Sequence, residues 1–392
     1  MNLSRAVWAE INLDNLAHNM RETRRIVDKN TKISAVIKAD GYGHGAVSIA
    51  KTLLDNGADK FSVATLSEAI QLRRKFPKIE IMVLGYTPSH LASEVIQNSI
   101  VQTIYSIEQA KEFSKVAINM KKDITVHIKI DSGMNRLGML CTKETINIIL
   151  EISKLENIII EGIFTHFAQS DEIDKTYTQE QVKKFNYIVQ NLEERGLNIP
   201  IKHVSNSGAI IDLPEFNFDM VRAGIMLYGL YPSNTVDHKN VELKEVLCLK
   251  AKVAQVKTIE SGSGIGYGLK YICKEKTQVA TLPIGYADGF TRMLSGNIKV
   301  LIKNKMVPVL GTICMDQCII DVSNLDVNVG DEVILYGGNN RRTSIGSVAK
   351  LLNTINYEII CMINKRVPRL YIKYNEKVVC KDCVLMVDDI SL

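Results

Sequence analysis

Between residues 13 and 240, short apolar segments typical of buried strands alternate with amphipathic segments typical of helices. The strand-like segments are KISAVIK, KFSVAT, EIMVLGY, VQTIYS, ITVHIKID, IIIEGIFTHFA, KHVSNS and MVRAGIMLYGL. Thr65 and Glu68 in TLSE match a capping box, which marks the start of one intervening helix. Eight alternations over roughly 220 residues predict an α/β fold with a parallel (β/α)8 TIM-type barrel. A doubly wound open sheet remains the alternative, because spacing alone does not require the sheet to close.

After residue 240 the pattern changes to short alternating strands separated by turn residues, with one helical stretch, SIGSVAKLLNTI. This change predicts a second, mostly β domain. We therefore expect an N-terminal strand at 1–12 that associates with the C-terminal domain, a barrel at 13–240, and a mostly β C-terminal domain at 241–392.

Composition narrows the classes of function. The formal net charge of +5 is spread along the chain without a basic block, which argues against nucleic-acid or membrane-surface binding. The first residues, MNLSRAVWAEINL, lack the pattern of a signal peptide, and no apolar run has the length of a membrane span. We expect a cytoplasmic enzyme or binding protein.

The eight cysteines are scattered, which is typical of reduced thiols in a long chain. Cys380 and Cys383 form one CxxC pair, and Cys314 lies near Cys318. No second CxxC and no histidine pair completes a metal site, so we expect free thiols and no metal.

Active sites of such barrels lie where strands end and the following loops begin. The polar residues at these ends are Lys38, Tyr42, Lys129, Asp131, Arg136, His166, His203, Asn206, Ser207 and Arg222. Most are cationic or neutral donors, so we expect an anionic ligand. Lys38 could simply extend into water, or it could be a buried amine with a lowered pKa that acts as a nucleophile. A nucleophilic lysine beside the small residues of SNSGA and RAGI, which suit a phosphate, suggests pyridoxal phosphate (PLP).

The motifs resemble those of the alanine racemase family over nearly the whole chain. They are WAEINLDNLAHN, AVIKADGYGHG, IKIDSGMNRLG, GIFTHFA, HVSNSGA, VRAGIMLYG, GIGYGL, LPIGYADG, CMDQ and INYEIICMINKRVPR, in the order of the family. The resemblance implies a PLP-dependent homodimer that interconverts L-alanine and D-alanine for peptidoglycan synthesis. It also implies that each active site takes residues from both subunits.

By this resemblance, Lys38 holds the cofactor covalently and then serves as the base on one face of the substrate. Tyr267 resembles the base on the opposite face, with His166 as its neighbouring partner. A phenol has a reference pKa of about 10 and needs cationic or hydrogen-bonding neighbours to act near neutrality. Without the motif, Tyr267 would be interpreted as a packed strand residue.

Arg222 resembles the residue at the pyridine nitrogen of the cofactor, with His203 supporting it. A guanidinium does not surrender its proton to a pyridine, which limits the ring as an electron acceptor and disfavours transamination. The alternative is an ordinary arginine at a strand end. Arg136 resembles the residue that reaches the phenolic oxygen of the cofactor and the substrate carboxylate. Lys129 resembles a lysine that many members carry as a carbamate, which would hold Arg136; the alternative is an unmodified amine.

The resemblance assigns the remaining cofactor contacts to Tyr42, His166, Asn206, Ser207, Gly224, Ile225 and Tyr357. Met315 resembles a residue whose backbone amide binds the substrate carboxylate, and Tyr286, with Tyr357, resembles the gate of a narrow access corridor. One departure is Thr312, where many members have arginine. This shorter residue leaves substrate breadth open, with serine as the first further substrate to test.

Two other activities remain as alternatives. A PLP-dependent decarboxylase of basic amino acids shares the plan of a barrel with a β domain, but that group has a carboxylate at the ring nitrogen where this chain has Arg222. A non-catalytic PLP carrier would consist of a barrel alone, which the β domain with Tyr267 contradicts.

Overall fold

The computed structural model describes residues 4–385 and 387–389. The first three residues of the predicted N-terminal strand, and residues 386 and 390–392 of the predicted C-terminal domain, lie outside the described part. The described chain begins with strand β1 (Val7–Asn12) and helix α1 (Leu13–Ile26). Among the described residues, no helix combines the length and the apolar character that crossing a bilayer requires.

A parallel sheet follows α1. Its strands are β2 (Lys32–Val36), β3 (Lys60–Val63), β4 (Ile81–Val83), β5 (Val101–Ile104), β6 (Ile124–Asp131) with the two-residue β7 (Met139–Leu140) beside it, β8 (Ile158–Phe164), β9 (Ile201–His203) and β10 (Met220–Ala223). The helices between them are α2 (Lys38–Tyr42), α3 (Ala46–Asp55), α4 (Leu66–Lys75), α5 (Ala92–Gln97), α6 (Ile107–Met120), α7 (Lys143–Ile152), α8 (Thr176–Glu194) and α9 (Ser207–Asp212).

Apart from the side pairing of β7, the strands follow one another around the sheet in chain order, with β10 pairing to β2. The two ends of this sheet, β9 and β10, meet through two backbone hydrogen bonds. The N–H of Asp219 donates to Lys202 (3.1 Å), and the N–H of Arg222 donates to Ser205 (3.0 Å). Sequential order and this seam distinguish a barrel from a doubly wound sheet, in which the order reverses. The predicted fold class is confirmed.

Local sequence explains where the elements begin. Thr65 and Glu68 form the predicted capping box of α4, and Ser106 accepts from the N–H of Gln109 at the start of α6. Every predicted barrel strand except ITVHIKID is shorter in the structure, and two of these differences bear on the site. KISAVIK is a strand only to Val36, and MVRAGIMLYGL becomes a 3₁₀ turn over Ile225–Tyr228.

The second unit is a mostly antiparallel sheet. Its strands and those of a separate hairpin are β11 (Leu247–Lys252), β12 (Gln255–Ile259), β13 (Gly264–Ile265), β14 (Tyr271–Ile272), β15 (Thr277–Leu282), β16 (Lys299–Ile302), β17 (Lys305–Leu310), β18 (Cys318–Asp321), β19 (Glu332–Gly337), β20 (Arg369–Lys373), β21 (Glu376–Asp382) and β22 (Val387–Asp389). The hairpin is β13–β14, and β1 lies in the large sheet between β11 and β20.

Two helices belong to this unit, α10 (Ile345–Leu351) and α11 (Asn356–Cys361). The first coincides with the predicted helical stretch. The second was not predicted, because six residues are too short to show a helical period.

Candidate active site

Lys38 is the first residue of α2, and a left-handed turn follows it. Residues 39–42 all have φ between 51° and 63°. This region costs roughly 1–2 kcal/mol for each residue other than glycine, so surrounding contacts must hold the turn. One such contact comes from Glu68, which accepts from the N–H of Ala39 at 2.6 Å. The turn is therefore fastened to α4, and Lys38 stands on a fixed backbone.

The amine of Lys38 is half-buried, and it makes no hydrogen bond or ion pair with any residue that the structure describes. Burial lowers the pKa of Lys38, and the positive charges of Arg136 and Arg222 lower it further. Both causes favour the neutral amine, which is the nucleophilic form.

Arg222, in β10, is almost completely buried at the same mouth. Its Nη1 donates to Nδ1 of His203 (2.6 Å), and its Nη2 donates to the carbonyls of Thr165 (2.8 Å) and Val204 (3.0 Å) and to Nδ1 of His166 (3.2 Å). Its Nε–H has no hydrogen-bond partner among the described residues. Burial lowers the pKa of Arg222 to about 9, which leaves it a cation at neutral pH.

The two histidines around Arg222 are neutral. Burial, followed by the charge of Arg222, holds the pKa of both His166 and His203 well below the ordinary value. A neutral imidazole nitrogen can accept a hydrogen bond, whereas an imidazolium cannot. The histidines therefore support the guanidinium as acceptors.

A small cradle lies where β9 and β10 end. Ser207 Oγ accepts from the N–H of Gly224 at 3.0 Å, and a Cβ on Gly224 would lie only 3.1 Å from the hydroxyl of Tyr42. The rings of Tyr42 and Tyr357 are 6.3 Å apart. The N–H of Ile225, at the start of the following turn, has no partner among the described residues. Hydroxyls and a free N–H around a glycine suit a phosphate group.

Asn206 is placed differently from the other predicted contacts. Its side-chain oxygen caps α9 by accepting from the N–H of Ala209 (3.1 Å) and from the hydroxyl of Ser170 (2.7 Å). In this chain it organises the start of the helix that carries Ser207.

Lys129 is buried beside the same mouth. Its Nζ donates to a neighbouring backbone carbonyl (3.0 Å) and lies 5.0 Å from the centre of the Phe164 ring. Burial, followed by the charge of Arg222, lowers the pKa of Lys129 to about 7. Asp131 holds the next loop by accepting from the N–H of Arg136 (3.1 Å). The guanidinium of Arg136 is exposed and makes no hydrogen bond or ion pair within the described chain.

The remaining predicted residues form a second group, in the β unit. Tyr267 is 71% exposed, Tyr286 42% and Met315 52%. Both tyrosines line a cavity of about 490 Å³, together with Arg292. Thr312 donates from its hydroxyl to the carbonyl of Tyr267 (3.2 Å). No hydrogen bond, ion pair or ring contact of the described chain joins this group to the barrel mouth.

A further set of side chains, which was not predicted from the sequence, lies below Arg222 inside the barrel. His127 contacts His203, and Glu161 and Lys60 continue the set. A signal was present: His127 and Glu161 are each a polar residue within an apolar strand segment, ITVHIKID and IIIEGIF. No cluster of metal-ligating side chains occurs within the described ranges, and all eight cysteines are free thiols.

The fold and site define a barrel enzyme whose mouth combines an unpaired amine with a lowered pKa, a group of hydroxyls and a free N–H suited to an anion, and a buried guanidinium. This set of groups fits PLP. The free N–H of Arg222 suits the ring nitrogen, the free N–H of Ile225 suits the phosphate, and the unpaired amine of Lys38 suits the aldehyde carbon.

Comparisons with known proteins identify the family. Residues 11–232 match the model of the alanine racemase N-terminal domain, and residues 246–371 match that of the C-terminal domain. Alanine racemase 1 of Clostridium acetobutylicum is 48% identical over 97% of this chain and 99% of its own length. The structure of alanine racemase from Clostridium difficile 630 has a TM-score of 0.94 and 46% identity, covering 97% of this chain and 99% of that one.

A more distant structure is alanine racemase from Bartonella henselae with covalently bound pyridoxal phosphate. Its TM-score is 0.83 at 30% identity, and the match covers 93% of this chain and 99% of that one. The chain belongs to the alanine racemase family, as its motifs predicted.

Proposed function

We propose that this chain is a PLP-dependent racemase that interconverts L-alanine and D-alanine, with Lys38 and Tyr267 as the proton carriers on opposite faces of the substrate. The observation that carries the proposal is the amine of Lys38, which is unpaired, has a lowered pKa and lies at the mouth that also contains Arg222. The names of its relatives support the same activity, and the Bartonella henselae protein supports the same cofactor.

The residues that would hold the cofactor divide by the part they bind. Lys38 would bind it covalently, Arg222 would face the ring nitrogen through its Nε–H, and Arg136 would face the phenolic oxygen. The phosphate would be held by Tyr42, Ser207, Gly224, Ile225 and Tyr357. The other proposed cofactor contacts are His166, which lies beside Arg222, and Asn206, which caps the helix that carries Ser207. When bound, PLP supplies an acceptor for the electron pair that the α-carbon keeps after losing its proton.

Racemisation requires a proton to leave from one face and return on the other. Lys38 would accept or return the α-proton on its own face of the substrate. Tyr267 does the same on the opposite face. A phenol with a reference pKa of about 10 needs polar neighbours for this step, and His166 beside Arg222 would provide them.

Arg222 controls the outcome of this chemistry. Its guanidinium stays protonated and donates a hydrogen bond without giving up its proton. Electron withdrawal by the ring is therefore limited, which favours fast return of the α-proton over transamination.

Substrate binding falls to residues of both groups. Arg136 would pair with the carboxylate of alanine, and the backbone amide of Met315 would donate to it. Lys129 would hold Arg136 as a carbamate, formed when its neutral amine attacks CO₂ and loses a proton. The lowered pKa of Lys129 supports this modification, because only the neutral amine reacts.

We also propose a homodimer with two shared active sites. Tyr267 and Tyr286 line a cavity of the β unit and Met315 is exposed, whereas Lys38 and Arg222 lie at the separate barrel mouth. Each group is half of the proposed site, so a second copy would supply the missing half. Tyr286 of one copy would then face Tyr357 of the other at the access corridor.

The domain division at residues 13–240 and 241–392 remains part of the proposal. Support comes from β1, which lies in the C-terminal sheet while α1 precedes the barrel strands. The proposed setting is the cytoplasm, with D-alanine supplied to peptidoglycan.

Subunit complementation tests the shared site. Lys38→Ala and Tyr267→Phe chains should each be nearly inactive as PLP-loaded homodimers. In a mixed dimer, one site would contain the unmodified Lys38 of one subunit and the unmodified Tyr267 of the other. Co-expression should therefore restore alanine racemisation to one site per mixed dimer.

If Lys38 and Tyr267 of the same subunit met in one site, every site of the mixed dimer would be defective and activity would stay absent. A purified, PLP-loaded parent chain that fails to racemise alanine would contradict the activity itself. Release of CO₂ from lysine or ornithine would favour the decarboxylase.

A further inference from the structure

Hydrogen-bonded side chains form a column through the barrel interior. Below Arg222, Nε2 of His203 (β9) lies 2.8 Å from Nδ1 of His127 (β6), and Nε2 of His127 lies 2.9 Å from a carboxylate oxygen of Glu161 (β8). Lys60, at the start of β3, lies 3.7 Å from the same oxygen. Both histidines are completely buried. Interiors of such barrels are ordinarily filled by branched apolar residues, so a polar column needs an explanation.

The direction of every hydrogen bond in the column follows from its ends. A guanidinium can only donate, so Nδ1 of His203 carries no proton and accepts from Arg222. The proton of His203 is then on Nε2 and is donated to Nδ1 of His127. The proton of His127 is on Nε2 and is donated to Glu161. The column therefore has one arrangement of protons, running from a cation to a carboxylate.

The charge states agree with this arrangement. Burial lowers the pKa of His127 despite the opposing effect of Glu161, so the imidazole is neutral. The hydrogen bond from His127, with the charge of Lys60, lowers the pKa of Glu161 to about 2 and keeps it ionised. Lys60 also contacts Glu80 at the far end of the barrel.

The backbone is built around the column. The pairing of β6 with β8 shifts between Val126, which faces Ile160, and His127, which faces Gly162. Glu161 is the extra residue of this bulge, and bulges typically redirect a side chain. At Gly162, a Cβ would lie 2.4 Å from the ring of His127, so only glycine leaves room for the imidazole.

We propose that Glu161 and His127 are positioning residues that lock His203 in the tautomer that accepts from Arg222. Holding Nη1 of Arg222 in this way leaves its Nε–H free for the ring nitrogen of the cofactor. Loss of the acceptor at Glu161 would let His127 take its other tautomer, and His203 would then present an N–H to the guanidinium. Two donors would face each other, and Arg222 would shift. The expected effect on catalysis rests on the proposed function. The tautomers of His127 and His203 follow from the hydrogen bonds alone.

The test compares three variants of the PLP-loaded enzyme. Glu161→Leu removes the acceptor, whereas Glu161→Gln keeps an oxygen that can accept from His127. Glu80→Gln is the matched control, because it removes a carboxylate from the same region that makes no hydrogen bond to His127. We expect Glu161→Leu to lower kcat for alanine at least tenfold, to change KM less than threefold, and to raise the ratio of transamination to racemisation. The other two variants should stay within threefold of the parent kcat.

A second readout does not depend on activity. In the parent chain labelled with ¹⁵N-histidine, NMR should show that His127 and His203 each carry a proton on Nε2 and none on Nδ1. The glutamine variant should keep this pattern and the leucine variant should lose it. A parent His203 protonated at Nδ1 would overturn the inference even if the leucine variant failed to fold.

The two proposals fail separately. Normal racemisation by the parent, with Glu161→Leu indistinguishable from Glu80→Gln, would overturn the role of the column and leave the racemase intact. Absence of racemisation by the parent, with both imidazoles in the expected tautomer, would overturn the proposed function and leave the column as described.

Discussion

Replacing Lys129 with methionine should change how the stability of the protein depends on pH. In the folded chain the pKa of Lys129 is lowered to about 7 by burial and by Arg222, whereas unfolding returns it toward 10.5. Between these values the unfolded chain binds more protons than the folded chain, so stability rises with pH from about 7 and levels off near 10.5. Below pH 7 the full cost of burying the cation remains. Methionine fills a similar volume and has no proton to lose.

The size of the effect follows from the pKa. For each pH unit above 7, the destabilisation caused by the buried charge of Lys129 falls by about 1.4 kcal/mol, and by less close to the pKa itself. From pH 7 to pH 9, the parent should therefore gain about 2 kcal/mol of unfolding free energy relative to Lys129→Met. Urea unfolding of both PLP-loaded proteins at pH 7, 8 and 9, in CO₂-free buffer, measures this difference. Parallel pH profiles would refute the reasoning, because they would mean that folding does not perturb the amine of Lys129.

The same measurement extends to the carbamate. Adding ¹³C-bicarbonate should stabilise the parent and leave Lys129→Met unchanged, and the parent should show a carbamate carbon by NMR. Without that signal, Lys129 is an unmodified amine and Arg136 lacks its proposed anchor.

Two further substitutions test the site, and a third tests an ion-pair cluster of the β unit. Gly224→Ala places a methyl group 3.1 Å from the Tyr42 hydroxyl and should weaken PLP binding at least tenfold in a fluorescence titration; unchanged affinity would contradict the cradle. Thr312→Arg should lower kcat/KM for serine relative to alanine at least threefold, and an unchanged ratio would remove Thr312 as a determinant of substrate breadth. Asp288→Asn removes the charge of a buried carboxylate that pairs with Arg5 and Arg366 (both 2.7 Å) and should cost about 2 kcal/mol in urea unfolding, whereas a loss below about 0.5 kcal/mol would make these ion pairs minor contributors.

Apolar runs predicted the barrel because buried parallel strands must be continuously apolar, and ITVHIKID coincides with β6. Local sequence patterns did not predict the backbone conformation where a residue distant in the sequence holds it. The strand before Lys38 ends early because the left-handed turn at 39–42 is held by Glu68, which lies 29 residues from Ala39. No short-range rule predicts that contact.

In the site, too, the sequence predicted positions along the strands better than contacts between distant residues. Lys38, Arg222 and His203 could be placed at one mouth because they lie at or near the carboxyl ends of parallel strands, which meet at one face of a barrel. His127 and Glu161 stood out as polar residues in apolar segments, but their contact depends on a strand bulge, and the sequence does not show where a bulge falls. One chain also cannot place Tyr267 opposite Lys38, because the two belong to separate surfaces.

The seam between β9 and β10 implies that a bound cofactor would also stabilise the barrel. Two backbone hydrogen bonds hold this edge of the barrel, and the groups proposed to grip PLP lie on both sides of it, with Ser207 after one strand and Gly224 after the other. A ligand bound to both Ser207 and Gly224 would therefore hold the ends of the two strands together. Without a bound ligand, the two backbone hydrogen bonds would hold this edge alone, so amide protons along the seam should exchange with solvent sooner in the empty protein than in the PLP-loaded protein.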